Sequence, residues 1–317
     1  MGPYPQYKSS GAGRDLIVTL CLITLILFFG WVAFSNIRQN QIPPVVRDAS
    51  AALKKKDVAK ARALFDAELK AQPDNPLLYR QIGAVSYQFK QYALGVEYLR
   101  RSLQACKDQP KSVRAELYHT LATLLAEADP APPQSEAIDA AERALELAPE
   151  DPGMLNLLGY LLADNNLELD RAQDLITKAL KLAEDQKNES PSGPALVSAI
   201  EDSYGWVLYR KGNYAGAIDA LTHAIADIPE GGLTGDDLKV YYYHLGAACR
   251  KAGRQEEALR AIKTALQYDP DYAPAKAEQA VLTGGTAPRA PQKAPSSPRD
   301  KNAPPPSLTV PTPDDAT

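Results

Sequence analysis

His119, His223 and His244 are the side chains in this chain best suited to hold a metal or move a proton. None stands at a ligand spacing from another histidine or a cysteine. No HExxH, CxxC, GxSxG or phosphate-cradling Gly-Lys-Ser/Thr run accompanies them. The reading is therefore of a protein without catalytic residues, metal or cofactor. Of the cysteines, Cys21 lies in an apolar run, Cys106 near a helix end and Cys249 in a core-facing stretch, and no paired framework emerges. A net charge of −4 with dispersed lysine and arginine argues against a nucleic-acid face. Lys54-Lys55-Lys56 reads as a solvated helix end, and the Asn188-Glu189-Ser190 sequon as a chance match. What remains is recognition by aromatic rings and guanidinium groups, which carry most of the energy in protein interfaces.

The elements that must position such groups announce themselves by repetition. Gly205, Ala217, Leu221, Ala224 and Pro229 reappear at the same internal spacings as Gly246, Ala258, Ile262, Ala265 and Pro270. Small residues twelve apart on two successive helices let those helices cross closely and stack on the next pair. The pattern continues upstream through Gly159, Ala172, Ile176 and Ala179. Before that come Leu121, Ala122 and Leu125 with Ala137, Ala144 and Pro149, interrupted by the proline-rich insertion 129–134. Gly83, Gly95, Leu99 and Ser102 give a further copy, and Ala61, Phe65 and Pro73 the earliest and loosest, with Glu68 where a small residue is expected. Six copies result, with spacing expected of a period near 34 lengthened by loops. Asn75-Pro76 and Asp151-Pro152 predict helix starts, with a capping side chain just before a proline that needs no N–H partner there. Gly212 and Gly253 mark chain reversals within a pair. The stretch Tyr272 to Leu282 predicts a final helix covering the end of the stack, and 185–193 a loop.

Tyr204-Gly205-Trp206 through Tyr209, Gly212-Asn213-Tyr214, Ala217, Leu221, Ala224 and Pro229 resembles a near-consensus tetratricopeptide repeat. Leu245-Gly246 through Pro270 is similar to it. The resemblance covers about residues 42–272. It implies an all-α, right-handed superhelical solenoid of about six helix-turn-helix repeats; an ordinary Ala-rich helical bundle is the alternative. It further implies that the first helix of each pair lines a concave groove. The groove positions hold Arg80, Tyr87, His119, Asn156, Tyr160, Trp206, Tyr209, Arg210, Tyr243, Arg250 and Lys251. The alternative for Trp206 and Tyr209 is packing between helices, with the groove reading preferred. The Lys and Asn pattern by which some members of the family bind a chaperone C-terminus is not found, since Ala84 stands after Arg80.

Outside the repeats, residues 1–15 form a short tail, followed by the nineteen uncharged residues Leu16 to Phe34, long enough to span a bilayer as one helix. A cleavable signal peptide is the rival, though Gly30-Trp31-Val32-Ala33-Phe34 offers no good cleavage site. Lys8 and Arg14 on one flank and Arg38 and Arg47 on the other give the positive-inside rule no decisive bias. Bacterial proteins of this plan often hold their repeats outside the cytoplasm, which sets the expectation here. Residues 42–284 make the repeat domain with its cap. Residues 285–317, with nine prolines and few large apolar residues, are expected to be disordered. The spacings Pro288 to Pro291 and Pro295 to Pro298 fit a docking motif less well than a spacer. The expected function is a membrane-anchored adaptor that grips a peptide or protein client. A self-associating scaffold without a separate client is the alternative.

Overall fold

The protein is described from a computed structural model in which residues 42–128, 134–228, 233 and 235–284 are placed. The expected N-terminal tail, membrane span and proline-rich C-terminal tail lie outside the described residues. Among the described residues there are thirteen α-helices and no strand, and no helix is long and apolar enough to cross a membrane. They fall into two compact units, one ending at Ala71 and one beginning at Gln72.

The first unit is one helix pair, α1 (Pro44–Lys54) and α2 (Val58–Ala71). Ala49, Ala52, Leu53, Ala61, Phe65 and Leu69 are all buried between them. Lys54-Lys55-Lys56 closes α1 in solvent as expected, with Lys56 at positive φ (61°) to reverse the chain. Asp57 then starts α2 by accepting from the Lys60 N–H at 3.0 Å.

The second unit holds five pairs and one closing helix. The pairs are α3 (Pro76–Gln88) with α4 (Tyr92–Ala105), α5 (Lys111–Glu127) with α6 (Gln134–Leu147), α7 (Pro152–Asp164) with α8 (Leu169–Gln186), α9 (Gly193–Arg210) with α10 (Tyr214–Ala226), and α11 (Gly235–Lys251) with α12 (Gln255–Tyr268). The closing helix is α13 (Ala273–Leu282). Helix α8 runs to Gln186, so the expected loop at 185–193 contracts at its front edge. Both expected caps are present: Asn75 Oδ1 accepts from the Leu78 N–H at 3.2 Å and Asp151 Oδ1 from the Met154 N–H at 3.0 Å. Gly212 and Gly253 have φ of +83° and +79°, where a side chain would be strained.

The repeated small residues do what their spacing required. A Cβ on Gly205 would lie 2.5 Å from Leu221 Cγ, and one on Gly246 2.6 Å from Ile262 Cδ1. Gly159 meets Ile176 in the same way, and Gly83 meets Leu99. Each anchor thus admits the bulky residue of its partner helix, which is the close crossing that glycine or alanine permits. Beyond each pair, the first helices of successive pairs also touch one another from α3 through α13, while the second helices do not approach to the same degree. A stack that closes on its first helices and splays on its second is curved, with the first helices on the inner side.

Candidate partner-binding face

The inner face is built by a positional rule. On each first helix, residues three before and one, four and five after the small anchor share a stripe, because those offsets bring side chains round to one side of an α-helix. On α3 this places Arg80 and Tyr87, both exposed, with Arg80 ion-paired to Glu116 of α5 and Tyr87 edge-on to Tyr92 at 5.7 Å. On α5 it places His119, and on α7 Asn156 and Tyr160. On α9 it places Trp206, Tyr209 and Arg210, and on α11 Tyr243, Arg250 and the exposed Lys251.

The C-terminal half of this face is an aromatic cluster. Trp206 stacks on Tyr209 with ring centroids 4.7 Å apart and on His244 at 4.1 Å, and lies 5.9 Å from Tyr243. Tyr160 reaches His244 from α7 at 6.2 Å, and Tyr272 meets Tyr243 at a right angle at 5.6 Å. The guanidinium of Arg210 lies 5.7 Å above the Trp206 ring. Trp206 is only 3% exposed, so it is the floor of the cluster and Tyr209, half-buried, its wall. Burial first, with nearby carboxylates second, raises the hydroxyls of Tyr160 and Tyr243 well above the ordinary tyrosine range. They stay neutral donors at any physiological pH. Arg80, Tyr87 and Lys251 stand apart from this cluster.

Three acidic residues, Asp202, Glu278 and Glu201, were not singled out by the sequence reading. His244 and Asp202 form a buried pair, with Asp202 Oδ2 2.9 Å from His244 Nδ1. That bond assigns the proton to Nδ1. Asp202 stands three before Gly205, the offset already applied to Arg80, His119, Asn156 and Tyr243, so the signal was present. Glu278 of α13 binds Arg250 through two hydrogen bonds, one of them 2.9 Å. The search for histidine ligands at metal spacing in the sequence did not pick out the surroundings of His223. Its Nδ1 lies 3.1 Å from Glu201 and 3.5 Å from Asp227, all three ligand atoms falling within 4.8 Å of one another, with His223 and Asp227 exposed and Glu201 half-buried. Glu201 comes from the neighbouring helix, which a search along the sequence for ligand spacing does not see.

Acid should loosen this unit. Burial disfavours the charged imidazolium of His119, and despite Asp151, Arg80 adds to the effect, holding it below the usual histidine range. Burial pushes the Asp269 carboxyl up, but the Asp271 N–H, Lys239 and Lys90 outweigh it and hold it below the usual carboxylate range. Unfolded His119 gains its proton near pH 6.5 while the folded form resists, so its contribution is full above about pH 6.5 and declines below it. That of Asp269 is present above the ordinary carboxylate pKa and is lost as pH falls through its lower folded value. Thermal melts by circular dichroism should show a midpoint that falls from pH 7 to pH 4. His119→Gln should flatten the upper part of that decline; an unchanged midpoint between pH 7 and pH 5 in the wild type contradicts this.

Residues 47–110 and 240–272 each match the family described as "Tetratricopeptide repeat". The chain therefore carries tetratricopeptide repeats, on an all-α repeat fold of that kind. It is 38% identical over 82 residues to the TPR repeat-containing protein PA4667 of Pseudomonas aeruginosa, a match covering 26% of this chain and 12% of that protein. The match thus spans only a small part of that relative. Among solved structures, PilW, described as a widely conserved type IV pilus biogenesis factor, is 16% identical, with 75% of this chain and 96% of that chain covered at a TM-score of 0.47. TTC0263, a thermophilic TPR protein of Thermus thermophilus, is 18% identical, covering 66% of this chain and 98% of its own at a TM-score of 0.46.

Proposed function

We propose that this chain is a membrane-anchored adaptor whose inner, first-helix face binds a peptide or protein client. The observation that carries the reading is the cluster of aromatic and guanidinium groups on that face, Trp206, Tyr209, Arg210 and Tyr243, where Asn156 Oδ1, Trp206 Nε1 and Arg210 Nε are among nine buried polar atoms that have no hydrogen-bond partner among the described residues. Such atoms cost stability where they are buried, and native structures hold few of them. A bound peptide carries backbone acceptors for the indole and guanidinium N–H groups and backbone donors for the amide oxygen. The surrounding rings supply the rigid apolar area that interface anchors use. Anchoring rests on Leu16 to Phe34, and placement of the repeats outside the cytoplasm of a bacterial cell on the plan alone. A role in assembling or controlling the quality of an envelope complex is an analogy with proteins of similar plan.

The client is to be captured by crosslinking and pull-down from native membranes and then titrated by calorimetry. Tyr209→Ala with Arg210→Ala should weaken it at least tenfold while helical content stays near wild type. Unchanged affinity in a folded double variant moves the site off this face, and a defined homo-oligomer with no client supports the scaffold instead. The anchor is tested separately. The full chain should resist extraction by alkaline carbonate, whereas soluble protein beginning after residue 30 identifies a cleaved signal.

A further inference from the structure

The inner face is closed at its C-terminal end by a segment of its own chain. Helix α13 follows α12 through the turn at Asp269 to Tyr272, and its Glu278 carboxylate grips Arg250 in a two-bonded fork. Glu278 lies close enough to Tyr209 and Tyr243, both residues of the inner stripe, to act on their hydroxyls electrostatically. Six residues earlier, Tyr272 covers the Tyr243 ring. The start of this segment is held from both sides: Asp269 accepts from Lys239 of α11 at 3.2 Å and pairs at 3.6 Å with Lys90, from the turn between α3 and α4. The first and last pairs of the second unit thus meet at Asp269, where the segment begins.

Beyond these contacts and the packing of Leu282 on the core, few residues of the segment are fully buried. Within α13 only Ala275 is fully buried, packing with Ile262 and Ala265, while Val281 is 46% exposed. Ten residues are too few to hold a helix in water without tertiary contacts, so release from the stack and melting are one event. By contrast, α12 buries Ala258, Ala261, Ile262 and Ala265.

We propose that the segment Asp269–Leu282 is a displaceable internal ligand of the inner face, and that the client is a peptide segment presenting a carboxylate to Arg250 in place of Glu278. This rests on the reading of the inner face as the binding surface. It adds the chemistry of the client and a built-in competitor: binding requires the segment to yield, so the affinity measured is that of the client less the hold of Glu278 and Tyr272.

The test uses the full chain in mild detergent and a labelled synthetic peptide of residues 269–283, with Glu or Gln at position 278, followed by fluorescence anisotropy at low salt. The Glu peptide should bind the Tyr272→Ala/Glu278→Gln chain at least tenfold tighter than the wild type, and at least tenfold tighter than the Gln peptide binds it. The gap should shrink as salt rises. Equal binding of the Glu peptide to both chains, binding to neither, or equal binding of the two peptides overturns the proposal. Hydrogen exchange on the milder Glu278→Gln chain gives a reading that does not depend on the double variant folding. Amides of 276–282 should exchange at least tenfold faster with those of α12 unchanged, whereas faster exchange spreading through α11 and α12 shows a fixed structural cap. A client weakened by Tyr209→Ala/Arg210→Ala but indifferent to Glu278→Gln leaves the binding face standing and removes the internal ligand. Loss of the first effect removes the face itself.

Discussion

Trp206→Ala should destabilise the repeat stack by about 3–5 kcal/mol, the range for removing a large buried aromatic side chain that its surroundings cannot refill. The ring is 3% exposed and stacked between Tyr209 and His244, with Tyr243 at its edge, so its removal opens a cavity in the middle of the aromatic cluster. Urea titration followed by circular dichroism measures this directly. A loss below about 1 kcal/mol would mean that the indole contributes little to packing. The expected loss also bears on how binding is tested. Trp206→Ala with Tyr243→Ala looks from sequence like the natural way to empty the groove, yet with the indole as the floor of the cluster it tests folding first. Tyr209 and Arg210, half-buried at the rim, are the cleaner pair.

The second large effect is expected at Ala258. It is fully buried, and its carbonyl lies 3.3 Å from where a Cβ on Gly246 would stand, so α11 and α12 cross there with almost no side chain between them. Ala258→Leu forces the helices apart or off their rotamers at about 1–3 kcal/mol. Its neighbour Glu257 points outward, with a side chain 47% exposed and a loose pairing to Arg254 at 3.7 Å. Glu257→Leu should change stability by no more than about 0.5 kcal/mol. Thermal melts of the two variants that coincide would mean the helix faces are assigned wrongly.

Much of the architecture was legible because each repeat uses the same device. Small residues at fixed offsets, prolines after capping side chains and two glycines at positive φ are local signals, and local signals survive in a linear reading. Tyr272 to Leu282 was recognisable as a helix for the same reason. What that helix does was not: the Glu278–Arg250 fork joins residues on different helices, and nothing local marks Glu278 as the partner. Asp202 was missed although the offset rule reached it, because an acidic residue on a helix reads first as solvated. The Lys90–Asp269 contact depends on how far the stack curves, a property of every pair summed together. The fate of Trp206 turned on the same kind of information, since its spacing suited both groove and core, and only the stacking of His244 on its far face places it at the floor.

The claim that the first-helix face is where a client sits is tested most directly by photocrosslinking in native membranes. A photoreactive amino acid is placed in the full chain at Asn156, at Arg210, or at Lys263, which is exposed on α12 away from that face. Positions 156 and 210 should each give one discrete adduct with the same client polypeptide, and position 263 none. The same adduct from 263, or its absence from both inner positions in a chain that melts like wild type, would contradict it.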